Sequence, residues 1–173
     1  CKNGPQNTVI KKETCNISTR LARWAEEKPE TPALLEISSR KQKTFKELEH
    51  ETSILASGLI QSGMKSGNRV LLMVPYGIDF VMLTFAMFKA GLIPILIDPG
   101  QGRKNTLGCI QQIQPEGMIA IPLVHAVRKI FPSPFKNIKH HVSIGWFWGC
   151  KTLRQVIVSG KKGFQIKSMD EQD

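Results

Sequence analysis

The residues best placed to do chemistry are Asp98-Pro99-Gly100-Gln101-Gly102-Arg103-Lys104. They follow an apolar run and open a helical pattern, where unpaired backbone N–H groups can face an anion. Gly100 and Gly102 would let the backbone approach a ligand, and Arg103 and Lys104 would add positive charge. These four residues are therefore candidates for nucleotide or phosphate contact. A tight structural turn accounts for the same residues, because Asn105 follows and the third glycine of a dinucleotide fingerprint is missing. No GxxxxGK[ST] loop occurs. A GxSxG elbow is absent too, since His141 stands where Val142-Ser143-Ile144-Gly145 would need its first glycine.

A second stretch, Phe80, Leu83, Thr84 and Met87, shares one helical face that could line an apolar acyl pocket; core packing is the commoner explanation of such a stripe. His125 lies near the start of a helix after a strand and could face a crevice. His140 and His141 are adjacent, so they point to opposite faces of an extended segment, and they read as exposed loop residues. His50 reads as the exposed side of a helix. Cys1, Cys15, Cys109 and Cys150 form no CxxC, and no histidine lies at zinc-ligand spacing from them. Free thiols and no metal site are the expectation.

The elements that must position these residues centre on Arg69–Gly102, which reads strand, helix, strand, glycine turn. Val70–Val74 is a continuous apolar run, as in strands buried on both faces of a parallel sheet. Asp79–Lys89 is a helix apolar almost all round, hence buried, and Ile93–Ile97 is the next buried strand. Helix Arg103–Ile113, strand Met118–Ile121, helix Leu123–Phe131 and a last short strand, Val142–Ile144, continue the alternation. Upstream segments prepare one side of the sheet. They comprise a helix carrying Ile17, Leu21 and Trp24, capped by Asn16 or Ser18, then strand Ala33–Ile37, a strand toward Phe45, and a helix to about Gln61. That helix opens on a capping box, Thr44-Phe45-Lys46-Glu47, and ends at Gly63 in a left-handed stop. The alternation predicts an α/β fold, a mostly parallel sheet with flanking helices and right-handed crossovers. After Gly145 the pattern fades. Trp146, Phe147 and Trp148 read as an aromatic anchor, Lys151–Val158 as a short helix, and residues 159–173 as a fraying polar end.

Composition bounds the function. The 173 residues fit one domain or subdomain. A net charge of +10 raises polyanions as partners. The basic residues are scattered among acids, however, with small clusters at Arg40–Lys46, Lys136–His141 and Lys161–Lys167, and no specific nucleic acid is expected. Residues 1–16 are polar and lack the apolar core of a secretory signal, which with free thiols points to a cytoplasmic protein. Cys1 in place of methionine reads as an incomplete or processed sequence. Ile78–Ile97 is long enough to cross a bilayer, but Asp79 and Lys89 would each cost about 2.5–3.5 kcal/mol there, and Gly91 and Pro94 break the helix. No transmembrane segment is expected.

Thr44-Phe45-Lys46-Glu47-Leu48 resembles the first core motif of adenylate-forming enzymes, the superfamily of acyl-CoA synthetases, luciferases and peptide-synthetase adenylation domains. Phe88-Lys89-Ala90-Gly91-Leu92-Ile93-Pro94-Ile95-Leu96-Ile97-Asp98-Pro99 resembles their second. Ser57-Gly58-Leu59 and Gly67-Asn68-Arg69-Val70 fit the run between, with Asn68 replacing the common aspartate. The match covers residues 16–145. Asp98–Gly102, Ile119–Ala126 and Trp146–Leu153 resemble bacterial olefin β-lactone synthetases, often labelled fatty-acid–CoA ligases.

The resemblance implies the N-terminal subdomain of the adenylate-forming fold: a loose arm over 1–15, the α/β subdomain over 16–145, and a tail over 146–173 leading toward the phosphate loop. For the complete enzyme it implies ATP- and Mg²⁺-dependent activation of a fatty or β-hydroxy acid as acyl-AMP, followed by β-lactone closure or transfer to CoA. The family's phosphate loop, adenine and ribose contacts and late catalytic lysine lie beyond Asp173, so no catalytic residue is carried over. The partner expected is the remainder of the ligase, and this chain alone is expected to be inactive. The alternatives are a free-standing, non-catalytic α/β interaction module or truncated gene remnant, and a nucleotide- or nucleic-acid-binding module.

The capping box makes a direct prediction. Thr44→Ala should lower unfolding stability by about 1 kcal/mol in a denaturant titration, because one backbone N–H of the first turn loses its acceptor.

Overall fold

The computed structural model describes residues 17–97, 102–146 and 149–170, with backbone alone at 103 and 162–170. Five strands form one sheet: β3 (Arg69–Met73), β4 (Ile93–Leu96), β5 (Gly117–Ala120), β6 (His140–Ser143) and β7 (Lys151–Thr152). Their spatial order is β4-β3-β5-β6-β7 and every neighbouring pair is parallel. Each strand-to-strand step therefore needs a crossover, and the helices α3 (Ile78–Lys89), α4 (Arg103–Ile113) and α5 (Pro122–Ile130) supply three of them.

Side chains alternate along each strand, so the sheet has two apolar faces. Val70, Leu72, Ile119 and Val142 meet Leu21, Leu48, Leu59, Leu83 and Val156 on one face. That face is covered by α1 (Ile17–Glu27), α2 (Phe45–Gln61), α3 and α6 (Leu153–Asp170). Leu71, Met118 and Ala120 meet Ile110 of α4, Phe135 of a 3-10 turn at Ser133–Phe135, and Ile138 on the other. The α/β expectation holds, and α4 has the bounds read from the sequence.

The capping box is present. Thr44 Oγ1 accepts from the Glu47 N–H at 3.2 Å, while the Thr44 N–H donates to Glu47 Oε2 at 2.9 Å. Gly63 takes φ +102° just past the end of α2. Lys89, at the end of α3, donates to the Glu49 carbonyl at 3.0 Å and to Ser53 Oγ at 2.9 Å, and pairs with the Glu49 carboxylate at 2.5 Å. Burial pushes the Lys89 ammonium below its usual range, while Glu49 opposes that shift. Trp24 of α1 lies 5.5 Å from the Phe45 ring, which seats the first helix on the second.

Several expectations are corrected. β1 (Pro32–Glu36) and β2 (Lys41–Thr44) form their own antiparallel hairpin and do not join the main sheet. A hairpin is satisfied by local pairing, so it needs no place in a parallel ladder. β4 is an edge strand, and Ile93 and Leu96 are 47% and 54% exposed, so the strand is only half-buried. Ser18 lies inside the first turn of α1 and does not precede it; Asn16 and the 1–15 arm fall outside the described residues. His140 and His141 open a strand and are no loop. Val142–Ile144 is not the last strand, because Lys151–Thr152 adds β7. Trp146 is largely exposed, and Phe147 and Trp148 lie outside the described residues.

The largest correction is α6, which runs to Asp170 where a frayed end was expected. Gly160, Lys161, Lys162 and Gly163 interrupt its apolar periodicity. The helix packs against α2 at backbone contact around Val156 and Gly160. A Cβ on Gly58 would stand 2.1 Å from the Val156 carbonyl oxygen, and one on Gly160 would stand 2.0 Å from that of Ile54. Neither carbonyl is the end of a flexible side chain, so the helices would have to separate. Gly58→Ala and Gly160→Ala are each expected to cost at least about 1–3 kcal/mol in urea melts. Gly108→Ala, which meets nothing within 4 Å in mid-α4, should raise stability by about 0.5–1 kcal/mol.

Candidate functional site

The chain leaves β3 toward β4 on one side and returns to β5 on the other, so the carboxyl ends of β3 and β5 form a topological switch point, the usual ligand position in open α/β sheets. A cleft of about 670 Å³ opens there. Val74 and Pro75 beyond β3, Ile121 beyond β5, Ile144 beyond β6 and Leu153 and Ile157 of α6 form its apolar wall. The hairpin supplies a charged rim, where Lys43 pairs with Glu51 of α2. Tyr76, 78% exposed, stands at the mouth with its ring 5.1 Å from that of Phe80.

One polar feature organises this end of the sheet. α3 starts at Gly77, which offers no capping side chain. Glu36, at the end of β1, supplies the cap from 42 residues upstream: the Ile78 N–H donates to its Oε1 at 3.4 Å. Ser39 Oγ donates to the other oxygen. The Ser39 hydroxyl, the Ile78 N–H and the Lys41 charge hold the Glu36 carboxyl below the usual carboxylate range. A Cβ on Gly77 would come within 2.5 Å of Glu36 Oε1, so glycine is what admits the carboxylate. The anion position of α3 is thus filled by the chain itself.

No Ser, Thr, Cys or His lines this cleft among the described residues. The walls and rim can hold an apolar body with a polar end.

The residues singled out in the sequence are spread over several environments. Leu83 lines the cleft, and Met87 is fully buried in the core. Thr84 Oγ1 donates back to the Phe80 carbonyl at 2.8 Å. Gly102 sits before α4 with φ +83°, and its carbonyl accepts from the Thr106 N–H and hydroxyl. Lys104 is exposed; Gly100 and the Arg103 side chain lie outside the described residues. His50 is exposed.

His125 is fully buried and faces no crevice. Its Nε2 lies 3.1 Å from the Val142 carbonyl oxygen, so Nε2 carries the proton, and Nδ1 accepts from the Cys150 thiol at 3.5 Å. Arg128, one turn along α5, donates through Nη1 to His141 Nε2 at 2.7 Å. The rings of His125 and His141 are 6.3 Å apart and nearly perpendicular. Burial pushes His125 down and Cys150 up, and both shifts oppose a thiolate–imidazolium pair. Burial, then the Arg128 charge, lowers His141 to about 4. This cluster pins α5 to β6. No local signal in the sequence marks it, because its members are joined only by the crossover.

The profile of the family described as AMP-binding enzyme matches residues 21–152. The chain is similar to the olefin beta-lactone synthetase of Stenotrophomonas maltophilia, 32% identical over 162 residues, which cover 86% of this chain and 29% of that protein. It is similar to the olefin beta-lactone synthetase of Xanthomonas campestris, 32% identical over 154 residues, covering 82% and 27%. Among solved structures it resembles a long-chain-fatty-acid–CoA ligase from Archaeoglobus fulgidus, with a TM-score of 0.73 at 21% identity over 84% of this chain and 30% of that one. That likeness shows the fold. The chain spans under a third of the length of these relatives.

The buried cluster predicts a pH dependence. Between the ordinary imidazole value of 6.5 and about 4, unfolded His141 binds a proton that the folded protein refuses. Stability is therefore complete above pH 6.5 and is lost as the pH falls. Thermal melts from pH 7.5 to 4.5 should show a steeper loss in wild type than in His141→Gln. The difference should reach about 1–2 kcal/mol once solvent screening is discounted.

Proposed function

Because this chain belongs to the AMP-binding enzyme family, we propose that it serves as the N-terminal scaffold of an ATP-dependent adenylate-forming ligase acting on a fatty or β-hydroxy acid. In that role the longer enzyme joins the acid to AMP, and the acyl adenylate then closes to a β-lactone or passes to CoA. The partner of this chain is the remainder of the ligase. The olefin beta-lactone synthetases it resembles and its fold support that assignment.

The observation that carries the proposal is the character of the cleft. Its volume of about 670 Å³ and apolar walls suit an acyl chain, while its described lining holds no Ser, Thr, Cys or His. The described residues also do not fit ATP with Mg²⁺. The helix N-terminus at the switch point already holds the Glu36 carboxylate, which would repel a triphosphate. No group of three or more His, Cys, Asp or Glu side chains converges to hold a metal among the described residues. No chemical step is therefore assigned to this chain. Among the described residues no helix is long and apolar enough to cross a membrane.

The test is ATP–pyrophosphate exchange with this chain, Mg²⁺ and long-chain fatty and β-hydroxy acids. No exchange above background is expected. Exchange that survives repurification and disappears in Lys104→Ala would overturn the scaffold role and place a phosphate site at the start of α4.

A further inference from the structure

A second, smaller concavity lies at the opposite, amino end of the sheet. It holds about 170 Å³ and is lined by Ser62, Lys139, His140, His141, Gly149 and Lys151. The topology makes it: His140 is the first residue of β6, Lys151 the first of the edge strand β7, and Ser62 ends α2. Lysine, histidine and serine line it, and no carboxylate does. Lys139 and Lys151 form no ion pair among the described residues.

The carboxylate of Glu116, whose backbone meets the start of β6, is turned elsewhere. Glu116 accepts the Lys139 and His140 N–H groups on its backbone carbonyl, at 2.9 and 3.3 Å. Its carboxylate is taken by Arg69, through the backbone N–H at 2.7 Å and Nη2 at 3.1 Å. The His140 ring is also held in place: a Cβ on Gly63 would meet its Cε1 at 2.8 Å, so the ring lies against the glycine that ends α2. His141, which also lines the notch, has an Nδ1 that is buried without a hydrogen-bond partner.

We propose that this notch between the amino ends of β6 and β7 binds a phosphate dianion, either free or as the phosphomonoester end of a small ligand. Two ammonium groups provide point charge, and imidazole N–H groups can add directed donors. The notch has the volume of about five or six waters, which fits a single phosphoryl group and not a polymer groove. It lies at the far end of the strands from the apolar cleft, so it does not depend on the function proposed above.

The experiment follows the His140 imidazole resonances of the full chain during titration with sodium phosphate, with glycerol 3-phosphate, and with sodium chloride at matched ionic strength. Saturable shifts are expected with both phosphates and not with chloride. Tighter binding of glycerol 3-phosphate would assign the site to an organic phosphomonoester, and equal binding to phosphate itself. Lys139→Ala/Lys151→Ala should weaken binding about tenfold without changing the fold, since both lysines are exposed. The proposal is overturned by a response equal to that of chloride, by shifts that never saturate, or by full affinity in the double variant.

Discussion

The structure depends on β3 being closed on every side. Val70 and Leu71 have no solvent exposure and Leu72 has 2%. β4 and β5 satisfy its backbone along both edges. A strand without solvent contact must pair fully, because each unmet backbone group would cost about 1–3 kcal/mol. Both neighbours are parallel, so the chain needs crossovers, and these place helices on both faces. Its entry is fastened as well. Burial raises the Glu116 carboxyl, but the Arg69 guanidinium and backbone N–H outweigh this and hold it below the usual carboxylate range.

Everything on the first face follows from how closely α2 can approach its neighbours. Gly58 and Gly160 let α6 touch α2 at the backbone, and Lys89 reaches from α3 to Glu49 and Ser53 of α2. α6 thereby brings Leu153 and Ile157 over the carboxyl end of the sheet and closes one wall of the cleft. The hairpin closes the opposite wall, fastened by the Glu36 cap on α3. The cleft is thus a product of two long-range fastenings, neither of which belongs to the strands it sits on.

The two ends of the sheet carry opposite chemistry. The carboxyl end joins an apolar wall to a charged rim; the amino end of β6 and β7 is lined by lysine, histidine and serine. In a family of AMP-binding enzymes, the fold supplies the cleft and its apolar wall, while function is decided by the groups a site presents.

Local chemistry was legible in the residues. Val70–Leu72 had to be buried because nothing in the run is polar. Thr44 and Glu47 had to cap α2 because their spacing matches the first turn, and Gly63 ends that helix because it adopts a left-handed conformation at little cost. The motifs around Thr44–Leu48 and Phe88–Pro99 carried the family. What the residues could not show was any contact made across the crossovers. α6 was hidden because Gly160 looks like a breaker until α2 lies against it. The edge position of β4 was hidden because an apolar run reads the same with one neighbour or two. His125 looked like a crevice residue until Val142, Arg128 and Cys150 surrounded its side of the sheet. Sequence alone determined the helices and strands whose signals are local, such as α2, β3 and α4, since those are decided within a few residues. Tertiary structure decided which polar groups meet, since a hydrogen bond between Glu36 and Ile78 exists only when two distant segments are held within about 3.5 Å.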